Sequence, residues 1–177
     1  MKTLKRSIIV LVCMMFMVAC GRKERIFLEK DGTLYTIGDQ VAFYYPKDFE
    51  IDTTHEDKNK ICFMGEDEIL SFFTVLNQTE NKLTEMPQLY VGELEEKGAV
   101  DVKYYDVTLE SGIQCQSFTG MFQSSGIQFK HIVYFTEQAT YSYCYEAVQD
   151  VYDENIVVMN QYLESLTIHR DRVALLE

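Results

Sequence analysis

Basic residues are in short supply. The chain of 177 residues carries 16 lysines and arginines against 28 aspartates and glutamates, a formal charge of -12. Nucleic acid is bound through clustered Lys and Arg, so no nucleic-acid partner is expected. Histidine is scarcer still, with three: His55, His131 and His169. His55 sits in His55-Glu56-Asp57, but no second histidine or cysteine lies at metal-ligand spacing, so zinc has no support. His131 falls inside a predicted strand and reads as a satisfied sheet histidine. None of the five cysteines forms a Cys-x-x-Cys pair, which removes thioredoxin-like chemistry. Gly-x-Ser-x-Gly, a phosphate-cradling glycine loop and Ser-x-x-Lys are all missing. Internal repeats and low-complexity tracts are missing too. The expectation is a non-catalytic protein with no cofactor and no metal.

What is present begins at the N-terminus. Lys2, Lys5 and Arg6 form a basic patch, and every residue from Ile8 to Ala19 is apolar. A membrane-spanning helix needs about 20 apolar residues, so this shorter run reads as a signal-peptide core over residues 1–19. It ends as Met17-Val18-Ala19-Cys20-Gly21. That stretch resembles the lipobox of bacterial lipoproteins, with Met17 where leucine is commonest. The resemblance implies cleavage before Cys20, a lipid on its thiol, and anchoring at the extracytoplasmic face of a cell membrane. Each buried CH₂ of an acyl chain contributes about 0.8 kcal/mol, and two or three chains anchor stably. Losing the three basic residues of the signal takes the charge from -12 to -15. Arg22, Lys23 and Arg25, just past the anchor, favour an anionic leaflet.

The remaining 157 or so residues suit one domain, and 13% aromatic content is enough to build its core. Residues 20–40 hold the lipidated cysteine, a polar tether and a short hairpin, Ile26 to Ile37, turning at Asp31-Gly32. A single domain spans 41–168, and 169–177 is a frayed tail. Within the domain, a strand runs from Gln40 to Pro46 and another from Lys60 to Met64. The strand Glu68 to Asn77 has Ile69, Phe73 and Val75 on one face and Leu70, Phe72 and Leu76 on the other. A strand apolar on both faces is expected to be covered on both. Leu83 to Lys97 reads as a helix capped by Thr84 and closed by Gly98. A four-strand meander follows: Val102–Leu109, Ile113–Phe122, Ile127–Phe135 and Tyr141–Val148. A second helix, Val151 to Ser165, takes Asp150 as its N-cap.

Phe43-Tyr44-Tyr45-Pro46-Lys47-Asp48-Phe49, the mid-chain helix, the meander and a last helix running into Ser165-Leu166-Thr167-Ile168 resemble the PsbP-like fold over roughly 41–168. The resemblance implies an α+β domain, an antiparallel sheet with helices on both faces in an α/β/α sandwich. It also implies an accessory or binding role, and no site residue carries over.

Three features remain as sites. Cys20 is the lipid attachment. Tyr141, Tyr143 and Tyr145 alternate along one strand and so share a face. Such a row is core, or else a platform for a sugar or peptide. The acidic clusters Glu66-Asp67-Glu68, Glu93-Glu95-Glu96 and Asp150-Asp153-Glu154 lack calcium-loop spacing. Cys115 and Cys144 are expected to have one strand between them, too far for a disulfide. The expected partners are the membrane, through the lipid, and an envelope protein, peptide or glycan. A cell-envelope hydrolase with a site assembled by the fold is the competing expectation.

Overall fold

A computed structural model describes residues 26–54, 59–77 and 82–169. The signal segment, Cys20, His55 and everything from 170 onward lie outside the described residues. Leu28–Asp31 forms a single helical turn, α1, followed by strand β1 (Gly32–Ile37) and strand β2 (Val41–Pro46). Then come β3 (Glu50–Asp52), β4 (Lys60–Met64), β5 (Glu68–Leu76) and helix α2 (Met86–Glu96). Strands β6 (Ala99–Thr108), β7 (Gln114–Phe122), β8 (Ile127–Phe135) and β9 (Ala139–Val148) make the meander. Helix α3 (Gln149–Glu164) and the short β10 (Thr167–Ile168) close the domain.

The expected hairpin turn at Asp31-Gly32 is misplaced. β1 pairs antiparallel with β2, and the chain reverses between them at residues 38–40. Gly38 supplies the left-handed backbone there, at φ 55°. Gly32 is extended instead, and a Cβ on it would fall 2.9 Å from the Leu28 carbonyl oxygen. That glycine serves a close approach and not a turn. The helix starts also differ from expectation. Glu85, not Thr84, precedes α2, and Val148, not Asp150, precedes α3. Asp150 lies inside the first turn of α3, where a carboxylate still favours the positive end of the helix dipole. Pro87 fits the first turn of α2, where its missing N–H costs nothing, and Gly98 at φ 89° closes the C-terminal end.

Two antiparallel sheets result. One has seven strands in the order β3-β4-β5-β9-β8-β7-β6, and the other has three, β1-β2-β10. Cross-strand pairing sorts the large sheet into two faces. Leu70 pairs with Tyr145, Phe72 with Tyr143 and Thr74 with Tyr141, so these share one face. Helix α3 and the small sheet cover it. Phe43 of β2 sits at the centre, its ring 4.5 Å from Tyr143, 5.2 Å from Phe72 and 5.8 Å from Phe63. Tyr152, Met159 and Leu163 of α3 complete this core. The opposite face carries Ser71 beside Cys144, Phe73 beside Ser142, and Cys144 beside His131. There α2 seats Tyr90, Val91 and Leu94 against Phe118, Phe129 and Val133. Helices therefore lie on both faces of the large sheet, as the α+β sandwich requires.

The cover on the α2 side is incomplete, and this corrects the expectation drawn from β5. Leu70 and Phe72 are fully buried beneath the small sheet and α3. On the other face Ile69 and Phe73 are only half-buried and Val75 is 52% exposed, while Leu76, on the Leu70 face but at the strand end, is 47% exposed. Helix α2 packs over the β6–β8 part of the sheet and stops short of β5. Apolar sequence on both faces thus reports one face in the core and one face lining an open groove. Cys62, Cys115 and Cys144 are buried, and Cys115 and Cys144 are free thiols. β8 lies between Cys115 and Cys144, and these two point to opposite faces of the sheet.

Candidate functional site

The tyrosine row is not a surface. Tyr141 is 2% exposed, and Tyr143 and Tyr145 are 0% exposed. The Tyr143 hydroxyl donates to the Tyr44 carbonyl at 2.7 Å, tying the large sheet to β2. The Tyr145 hydroxyl donates to Glu68 Oε2 at 2.7 Å, and Asn155 of α3 donates to the same carboxylate at 3.1 Å. The Tyr145 ring stacks on Tyr152 of α3. Hydroxyls that find partners at the rim of a core explain tyrosine where phenylalanine would otherwise serve. Of the two readings of Tyr141, Tyr143 and Tyr145, core or ligand platform, their burial gives core. Glu68, which the sequence placed in an acidic cluster, is a structural acceptor.

The concave feature lies on the opposite face. A groove of about 730 Å³ runs between α2 and strands β5, β8 and β9. That volume is within the usual range for small-molecule sites. Its floor includes Phe73, Val75 and Leu76 of β5 and Phe135 of β8, and its wall includes Leu89 and Leu94 of α2. It shares Lys60, Phe73, Val75, Leu76 and Lys97 with an adjoining depression of about 480 Å³. Sequence reading passed over this groove because it divided residues into core and surface. The missed signal was in β5, whose apolar positions outnumber what one helix shorter than expected can cover.

At the base of the groove three side chains form a line. The Tyr90 hydroxyl meets His131 Nδ1 at 3.0 Å, and His131 Nε2 lies 3.4 Å from Glu146 Oε1. The second contact is an ion-pair distance without the alignment of a full hydrogen bond. Burial pushes the Tyr90 phenol well up, with Cys144 beside it adding to the effect, so Tyr90 stays protonated. A protonated hydroxyl can donate or accept, so the direction of its bond with Nδ1 follows the His131 tautomer. Burial alone would raise the Glu146 carboxyl. His131, with help from Lys60 and Lys97, outweighs it and holds the group below the usual carboxylate range. His131 itself is buried beneath Tyr90. Its neighbour Cys144 is fully buried, and burial pushes that thiol well up. The line thus braces the groove floor, with His131 Nε2 held near Glu146 but short of a full hydrogen bond. It has no thiolate beside it and no open face on the imidazole.

No family model and no curated protein matches this chain. Solved structures do share its fold. The cyanobacterial PsbP protein (CyanoP) from Synechocystis is 13% identical with a TM-score of 0.59, over 85% of this chain and 98% of that one. LpqN of Mycobacterium tuberculosis, described as involved in cell envelope biogenesis, is 15% identical with a TM-score of 0.53, over 77% of this chain and 90% of that one. The Ran-binding protein Mog1p of Saccharomyces cerevisiae is 8% identical with a TM-score of 0.53, over 77% and 95% respectively. The domain has the PsbP-like fold.

Proposed function

We propose that the protein is a lipid-anchored extracytoplasmic accessory module that binds an envelope component without transforming it. The carrying observation is the half-covered apolar groove beside α2, built on an otherwise closed core. Exposed apolar surface framed by polar residues is the ordinary mark of a binding site. Cys20, at the end of its short apolar run, supports anchoring through a lipid. Among the described residues no helix is long and apolar enough to cross a membrane. The likeness in fold to LpqN, a protein of envelope biogenesis, supports the same setting. Burial of His131 and Cys144 supports binding over the competing reading, a cell-envelope hydrolase.

The test starts at the anchor. Cells expressing the Cys20→Ala protein are fed an alkyne-tagged palmitate. The expected result is an unprocessed, unlabelled precursor beside a labelled wild type. Equal labelling of the two proteins removes the anchor from the proposal.

A further inference from the structure

The two ends of the seven-stranded sheet are built differently. One edge is β3, three residues long, with Glu50 and Asp52 at its ends. An edge so short and so charged offers another strand little to pair with. The other edge is β6, ten residues long, and among the described residues it pairs with β7 alone. Its first part is guarded by a bulge between Val100 and Lys103, where Asp101 takes φ 55°. From Lys103 to Thr108 the register with β7 is unbroken. There Lys103, Tyr104, Tyr105 and Asp106 are all exposed, Tyr104 at 44% and Tyr105 at 49%. Successive residues of a strand point to opposite faces, so one large ring stands on each face of this edge. The Tyr104 ring is held on Phe118, with centroids 5.3 Å apart. An edge strand turns alternate N–H and C=O groups outward, where they can pair with a further strand.

The residues of this segment select the strand that fits it. Two identical strands pair antiparallel about a two-fold axis perpendicular to the sheet, so one residue faces its own copy across the axis. Centring on Lys103 opposes two lysines, and centring on Asp106 opposes two aspartates. Like charges directly opposite are destabilising. Centring on Tyr104 draws the bulge into the paired stretch. Centring on Tyr105 keeps the pairing within the regular segment. Lys103 then faces Val107 of the second copy, and Tyr104 faces Asp106 of the second copy. The Lys103 stem gains apolar neighbours in that Val107 and, on the diagonal, Tyr105. The two Asp106 carboxylates stand only on a diagonal, about 8 Å apart, and each already accepts from Gln116 Nε2 at 3.0 Å. We infer that β6 is a homodimer interface, joining two copies edge to edge in one continuous sheet with Tyr105 on the two-fold axis. The charge of -12 on each copy opposes this association, so added salt should strengthen it. The groove beside α2 lies elsewhere on the sheet and is independent of the interface.

The experiment places single cysteines along β6 of the full chain and exposes expressing cells to a mild oxidant. In the two-fold arrangement position 105 lies about 5 Å from its copy, position 106 about 8 Å and position 103 about 14 Å. A disulfide needs Cα atoms within about 7 Å. Tyr105→Cys is therefore expected to give a disulfide-linked dimer, and Lys103→Cys and Asp106→Cys are not. Lys103→Cys combined with Val107→Cys should crosslink again, because those positions face each other. Cys115 and Cys144 are buried and do not compete. The purified full chain in mild detergent should sediment as a dimer that tightens with salt. Tyr105→Lys opposes two lysines on the axis and should weaken the dimer about tenfold. Position 105 is at the surface, so this variant should melt close to the wild type. A wild type that stays monomeric up to about 100 μM, where even weak specific interfaces associate, overturns the inference. So does Lys103→Cys crosslinking as readily as Tyr105→Cys, a dimer that Tyr105→Lys leaves intact, or Tyr105→Cys joined to another protein and not to itself.

Discussion

On the α3 side of the seven-stranded sheet, Phe63, Leu70, Phe72, Tyr143 and Tyr145 are all fully buried, and their rings interlock with Phe43 of the small sheet. On the α2 side, the same strands β5 and β9 present Phe73, Val75, Ser142, Cys144 and Glu146. The backbone is shared, so the difference lies in the side chains and in what covers them. Large rings call for a full layer, and α3 together with three extra strands provides it. The small side chains Ser142 and Cys144 leave room for Tyr90 to reach His131, and a short helix covers only part of that face. Stability is concentrated on one side of the sheet and openness on the other.

The strongest test of this contrast is Tyr143→Ala. Removing a fully buried ring that also ties β9 to the Tyr44 carbonyl should cost about 3 to 4 kcal/mol and lower the melting temperature by about 10 °C. A shift of only a degree or two, in thermal unfolding followed by circular dichroism, would mean that the α3 side is not the tightly packed one.

A smaller effect is expected at the groove floor. Tyr90→Phe leaves His131 Nδ1 without its hydrogen-bond partner and should cost on the order of 1 kcal/mol in urea unfolding. Glu146→Gln sharpens the comparison through pH. The folded carboxyl sits below its ordinary 4.5, so it stabilises the fold above that pH and the contribution fades as pH falls through the lowered value. Wild type should therefore exceed Glu146→Gln by up to about 1 kcal/mol at pH 7, and the two should converge in acid. A gap that widens on acidification would reverse the assignment of His131 as the partner that lowers Glu146.

The least change is expected from Val75→Ala. At 52% exposure this side chain should contribute within about 0.5 kcal/mol. Phe72, three residues earlier on the same strand and 0% exposed, should lose about 3 kcal/mol or more on truncation to alanine. Equal losses at the two positions would show the groove to be closed in solution.

Much of this architecture is written in local pattern. The meander is legible because Gly112 and Gly126 adopt φ 80° and 70° between alternating apolar runs, and β8 runs from Ile127 to Phe135 as its alternation dictates. The Phe43 to Pro46 segment is legible as a strand, and β2 indeed ends at Pro46. The tyrosine row is legible as one face, but not as core or platform, since that depends on where α3 lands. The first hairpin was misread because Asp31-Gly32 is a strong local turn signal, overridden when Gly32 is packed against Leu28 and Tyr162. The groove was not legible at all. Whether the odd positions of β5 are covered depends on how far α2 extends across the sheet, and no residue of β5 encodes that distance.

The buried thiols have a consequence for exchange chemistry. Burial pushes Cys115 up to about 12 and Cys144 higher than its ordinary value. The attacking species in disulfide exchange is the thiolate, and at pH 7 a thiol with a pKa near 12 is ionised in only about one molecule in a hundred thousand. Neither sulfur can therefore act as a practical nucleophile toward a passing disulfide or oxidant while the sheet stays folded. Cys115 and Cys144 thus give the folded sheet no response of their own to an oxidising or reducing environment. Thiol-labelling reagents should reach Cys115 and Cys144 only on global unfolding, as mapping of the labelled peptides would show.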